Sequence, residues 1–147
     1  MTPRQNLQPK DRALRYENVR SARAEEGLLR LILLDPTLLD LPGRPVQEDF
    51  SSPLLGKVYA ALSRRHAAGY EVGLAYLTGE LTGEEMSHLV GVAEQPESAA
   101  RSREAFADYL AVVRAESAKR AASGEDALLA AREQLRKKQL RNEDKPQ

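Results

Sequence analysis

Residues 28–34 read Leu-Leu-Arg-Leu-Ile-Leu-Leu, so six of seven consecutive side chains are large and apolar. A surface helix carries one apolar stripe and one polar face. Seven residues make almost two helical turns, so this stretch is apolar nearly all round, with Arg30 as the single break. It is far shorter than the roughly 20 apolar residues that cross a bilayer. The pattern predicts a central helix, buried on most sides, that the rest of the chain must cover. Its start is open between Tyr16 and Ala24. Glu25 and Glu26 are read as acids near the positive end of the helix dipole. Asp35-Pro36 ends the helix, because a residue before proline is pushed out of the helical region.

The downstream pattern is also helical. Asp35 to Ser52 is a loop with Pro36, Pro42 and Pro45. Ser52-Pro53 combines a capping side chain with a proline at the first helical position. Leu54, Leu55, Val58, Tyr59 and Leu62 follow at helical spacing, and Gly69 is the expected stop. A short helix is expected over 73–81. Thr82-Gly83-Glu84-Glu85 is a capping box, with Met86, Leu89, Val90 and Ala93 as the face of the helix it opens. Ser98 to Ser123 reads as one long helix with Phe106, Tyr109, Leu110 and Val113 as its stripe. Ser123-Gly124-Glu125-Asp126 reads as a break with a second capping box, followed by a last helix over 124–140. No run alternates apolar and polar as a strand would.

These elements imply an all-α fold: a helical bundle followed by a long helix and a C-terminal helical hairpin. The expected boundaries are a tail or linker over 1–20, the bundle over 21–114, the hairpin over 115–141 and a polar tail over 142–147. A length of 147 residues suits about one domain.

Net charge is zero, with 22 basic and 22 acidic residues, so no global field draws nucleic acid or a membrane. The distribution is uneven. Residues 1–30 hold seven Lys/Arg against four Asp/Glu, residues 31–113 six against twelve, and residues 114–147 nine against six. An acidic body is flanked by basic ends. With no cysteine there is neither a disulfide framework nor a thiolate metal site, which fits a cytoplasmic setting. No charged start followed by an apolar run marks a signal peptide.

Catalytic patterns are missing. His66 and His88 do not stand at metal-ligand spacing. Glu84 and Glu85 are accounted for by the capping box, and Asp35, Glu48 and Asp49 have no basic partners nearby in sequence. No phosphate-cradling glycine loop or nucleophile elbow is present. The residues therefore predict no cofactor, no metal and no catalytic site in this chain.

The C-terminal segment is different. Leu128, Leu129, Leu135 and Leu140 are more apolar surface than the small Ala-Glu-Ser-Ala-Lys-Arg-Ala-Ala stretch (115–122) can cover. Arg132, Arg136 and Lys137 rim them. A leucine stripe edged by cations is a candidate protein-binding surface. The alternatives are a hairpin folded back on the bundle and a basic run that is only a solvated face. Without interleaved aromatics, stacking on single-stranded nucleic acid is not expected.

Taken in order, ARAEEGLLRLILLDP, EDFSSPLLGKVYAAL, LTGEEMSHLVGVAEQPE, FADYLAVVR and SGEDALLAAREQLRKK resemble the C-terminal helicase-binding domain of bacterial DNA primase, the DnaG type. The resemblance covers nearly the whole chain and lies in helix-packing patterns, whose order and spacing carry it. It implies a helical bundle with a terminal hairpin that docks on the N-terminal domains of the hexameric replicative helicase. Primer synthesis in that family belongs to upstream domains, so this chain would be a non-catalytic part of an enzyme. It would have no membrane partner and weak or absent direct contact with nucleic acid. The N-terminal collar domain of the replicative helicase has a similar bundle pattern and is the alternative.

Overall fold

A computed structural model describes residues 14–98 and 100–143, with side chains given as far as Lys138 except that of Asp126. The expected tails therefore fall largely outside the described residues, at 1–13 and 144–147. The described residues form four α-helices and contain no strand: α1 (Val19–Leu34), α2 (Pro53–Ala67), α3 (Gly83–Ala93) and α4 (Ser102–Glu143). The fold is all-α. The chain divides into two compact units, Met1–Arg114 and Ala115–Gln147, and α4 contributes to both.

The first unit is built on α1. Leu28, Leu29, Leu31 and Ile32 are all buried within it. Asn18 caps its start by accepting from the Ser21 amide at 3.0 Å. Glu25 and Glu26 thus stand in the second turn and beyond, not at the start, and the dipole is not their explanation. Asp35 ends α1 and opens a 3₁₀ turn over Pro36–Asp40, with its carboxylate accepting from the Thr37 amide. Ser52 caps α2 by accepting from the Leu55 amide at 3.2 Å, and Pro53 takes the first position. Gly69, at φ +82°, turns the chain after α2, in a left-handed conformation that glycine adopts without steric cost. At α3 both halves of the capping box are made: Thr82 Oγ1 accepts from the Glu85 amide, and Glu85 accepts from the Thr82 amide.

Three expectations need correction. The segment 73–81 holds only a 3₁₀ turn, Leu74–Leu77; the five residues between Gly73 and Gly79 give too little α-helical propagation to offset nucleation. In α3 the buried positions are Leu89 and Val92, whereas Val90 and Ala93 are exposed. The helix face is set by what α1 and its neighbours leave open, not by the densest apolar spacing. Third, Ser123–Asp126 is no break. α4 runs as one helix of 42 residues, and no second helix occurs among the described residues of the second unit, so there is no hairpin. A mid-helix glycine costs only about 1 kcal/mol relative to alanine. Ala, Leu, Glu, Gln and Arg on either side outweigh that, and Gly124 is not among the glycines with positive φ.

Gly27 marks a close approach. A Cβ built there would lie 2.5 Å from Cε2 and Cζ of Tyr109 on α4, inside van der Waals contact. Gly27→Ala should displace the tyrosine ring. Overpacking of this kind costs about 1–3 kcal/mol, of which the better helix propensity of alanine returns up to about 1 kcal/mol. With that return in full, the expected net loss is up to about 2 kcal/mol in chemical denaturation. In a Tyr109→Ala background the same substitution should turn neutral or stabilising. A loss of the same size in both backgrounds would show that the ring is not the obstacle.

Candidate functional surfaces

Glu25 on α1 is fully buried. Its carboxylate accepts from Ser21 Oγ at 2.6 Å, Ser51 Oγ at 2.5 Å and the Ser52 amide at 3.1 Å. A buried carboxylate needs such donors, because an unpaired charge in a low-dielectric interior is very costly. These bonds tie α1 to the residues that cap α2, so the group has a structural task.

Glu26, one position on, faces another way. The Tyr16 hydroxyl donates to its Oε2 at 2.6 Å and lies 2.6 Å from His88 Nε2. The hydroxyl has one proton to give, so His88 donates from Nε2 in this arrangement. Burial, then the bond to Glu26, raises the Tyr16 hydroxyl above its ordinary range. Burial lowers the His88 imidazole, opposed by the charge of Glu26. The trio joins the segment before α1 to α1 and α3.

Arg30, the break in the apolar run, pairs with Glu97 at 3.2 Å and extends toward the Val92 carbonyl at 3.5 Å. Tyr109 donates to the same Glu97 oxygen at 2.8 Å, and its hydroxyl is raised by burial and by that bond. Beside this cluster lies a cavity of about 390 Å³, lined by Arg20, Arg23, Glu26, Arg30, Gln95 and Tyr109, with Ala24 and Val112 as apolar wall. Sequence reasoning missed it. The available signal is the spacing Arg20, Arg23, Gly27, Arg30, which places three cations along one face of α1; the opposite wall comes from residues more than 60 positions away.

His66 lies 2.8 Å from Asp40, and Glu84 and Glu85 sit at the start of α3. Arg65 stands over the rings of Tyr70 and Tyr76, at 5.4 and 4.2 Å from their centroids. Tyr76 in turn donates to Glu71, so this exposed group is satisfied within itself. Among the described residues no three His, Asp or Glu side chains converge as a metal-binding group. Among them, too, no helix is long and apolar enough to cross a membrane.

The leucines of the second unit are open to solvent. Leu128, Leu129 and Leu135 are 53%, 57% and 61% exposed, where each leucine of the α1 core is at most 2% exposed apart from its last two residues. Arg132, Arg136 and Lys137 are exposed as well. On a helix of 3.6 residues per turn, Leu128, Arg132 and Leu135 share a face, with Leu129 and Arg136 along its edge. Lys137 is two and a half turns from Leu128 and so falls on the opposite side. The Leu140 side chain lies outside the described residues.

No protein-family model matches the chain, and neither curated proteins nor solved structures give a match.

Proposed function

We propose that this chain is the helicase-interaction domain of a bacterial DNA primase of the DnaG type. In this reading it is a cytoplasmic, non-catalytic module that binds the N-terminal domain of the replicative hexameric helicase and so couples primer synthesis to unwinding. The observation that carries the proposal is the exposed leucine face of α4 with arginines beside it, in a segment whose described side chains from Ala121 to Lys138 are all exposed. Single apolar side chains on a surface are ordinary, but three leucines more than half exposed within eight residues of one helix, with Arg132 between them, support a partner-binding face. The order of helix-packing patterns along the chain supports the choice of partner. Because α4 is one helix, docking follows the helix-in-groove mode, with anchors at one-turn and two-turn spacing, instead of the two-helix contact that the resemblance implies.

Titration of the chain into the cognate helicase N-terminal domain tests this. Leu128→Ser and Leu135→Ser should each weaken binding by about 2 kcal/mol or more if they are anchors. Their melting should stay within about 0.5 kcal/mol of the parent, as for other exposed sites. Parent-like binding by both variants would remove this face from the interface. Self-association of the chain without helicase binding would favour the collar-domain alternative.

A further inference from the structure

Gly124, Leu128, Ala131 and Leu135 stand four, three and four positions apart on α4. This is the alternation that keeps one seam of a helix against another helix in a coiled coil. Small and large residues alternate along the seam. All four are exposed, and a Cβ built at Gly124 would meet nothing within 4 Å. Beside the seam stand Glu125 and Arg132, also exposed and about two turns apart. Charges on one helix pair with residues three or four positions away. For Glu125 those are Ala121, Ala122, Leu128 and Leu129; for Arg132 they are Leu128, Leu129, Leu135 and Arg136. Neither group has an opposite charge at those positions of its own helix.

A second copy running antiparallel answers both charges. With Leu128 set opposite Ala131 of the other copy, Leu135 falls opposite its Gly124, so each large side chain meets a small one. The same register brings Glu125 of each copy to Arg132 of the other, once on either side of a two-fold axis. A parallel pairing puts leucine level with leucine and Glu125 level with Glu125. In the antiparallel register residue 116 lies level with residue 143 of the other copy, so the pair is built from the second unit alone. So short a seam falls well below the roughly 20–30 residues a side of a standard interface, which makes the contact reversible and open to displacement by a tighter partner. We propose that this face of α4 pairs antiparallel with a second copy of the chain when no other partner holds it. The inference rests on the reading of that face as a docking surface and adds its regulation: self-paired leucines are withheld from the helicase.

Sedimentation equilibrium of the whole chain should show the mean mass rising toward that of a dimer as concentration approaches roughly 1 mM, a range suited to so small a contact. Glu125→Arg and Arg132→Glu should each weaken self-association at least roughly tenfold, since each sets two pairs of like charges face to face. An equimolar mixture of the two variants should recover it, because both contacts of a mixed pair are then opposite in sign. Parent-like melting of each variant, as expected at exposed positions, shows that the fold is kept. A parent that stays monomeric throughout would overturn the proposal. So would single variants that associate like the parent, or a mixture that associates no better than either alone. Adding the helicase N-terminal domain to the parent separates the two readings. Dissociation of the dimer into chain–helicase complexes supports both. Self-association with no helicase binding keeps this inference and removes the helicase reading, and helicase binding by a chain that never self-associates does the reverse. Helicase bound to an intact dimer would overturn the regulation, because one face could not then serve both partners.

Discussion

Leu31→Ala should lower stability by about 2–5 kcal/mol, the range for deleting a buried leucine side chain in a packed core. Leu31 has no exposed surface and sits among Leu28, Leu29 and Ile32, themselves enclosed by α2, α3 and the first part of α4. The transfer free energy of the lost carbons is one part of the cost; the cavity left in a helix packed on nearly every side is the other. Domains have roughly 5–15 kcal/mol in total, so the variant stands close to unfolding at physiological temperature. Calorimetry should show the main transition falling by roughly 10 °C or more. Leu128→Ser, at an exposed position, provides the contrast. Should the two substitutions melt the chain equally, the second unit would be part of the core, and the division at Arg114 would lose its energetic meaning.

Glu25→Ala is expected to cost about 2–4 kcal/mol, although it removes a charge from the interior. The carboxylate takes three donors, and deleting it strands them. A buried donor left without a partner costs about 1–3 kcal/mol. The two serine hydroxyls can rotate toward other acceptors, but the Ser52 amide is fixed by the backbone at the cap of α2. Glu25→Gln keeps an acceptor for that amide and should cost less, about 1 kcal/mol. Urea denaturation of the two variants tests the ordering. In addition, amide exchange at the start of α2 should accelerate in Glu25→Ala, because the lost bonds anchor that end. Equal stability of the alanine variant and the parent would mean that the site refills its hydrogen bonds without the carboxylate.

The two carboxylates of α1 show what a sequence leaves open. Glu25 and Glu26 are adjacent and identical in type, so pattern reasoning gave them one explanation. Their surroundings differ completely: one is enclosed by serine donors from the α2 approach, the other shares a tyrosine hydroxyl with a histidine of α3. The cavity was illegible for the same reason. Its arginines follow a readable spacing, but Gln95 and Tyr109 reach it only through packing. The leucine face was legible by composition. Its geometry was not: an expected partner helix was absent, and Lys137 fell on the opposite side from Leu128.

The sequence by itself determined the helical class, the apolar rod at the centre, the capped starts at Ser52 and Thr82, and the stop at Asp35-Pro36. These are decided within three or four residues, by backbone hydrogen bonds, proline sterics and the side chain that reaches the nearest free amide. Only the tertiary structure decided which glutamate is buried, that Arg30 is paired with Glu97 and that Gly27 must admit Tyr109. These depend on partners tens of residues apart, which no local signal specifies. The run of α4 through Gly124 is instead a local matter, a sum of small propensities in which one glycine is outweighed by many good helix formers.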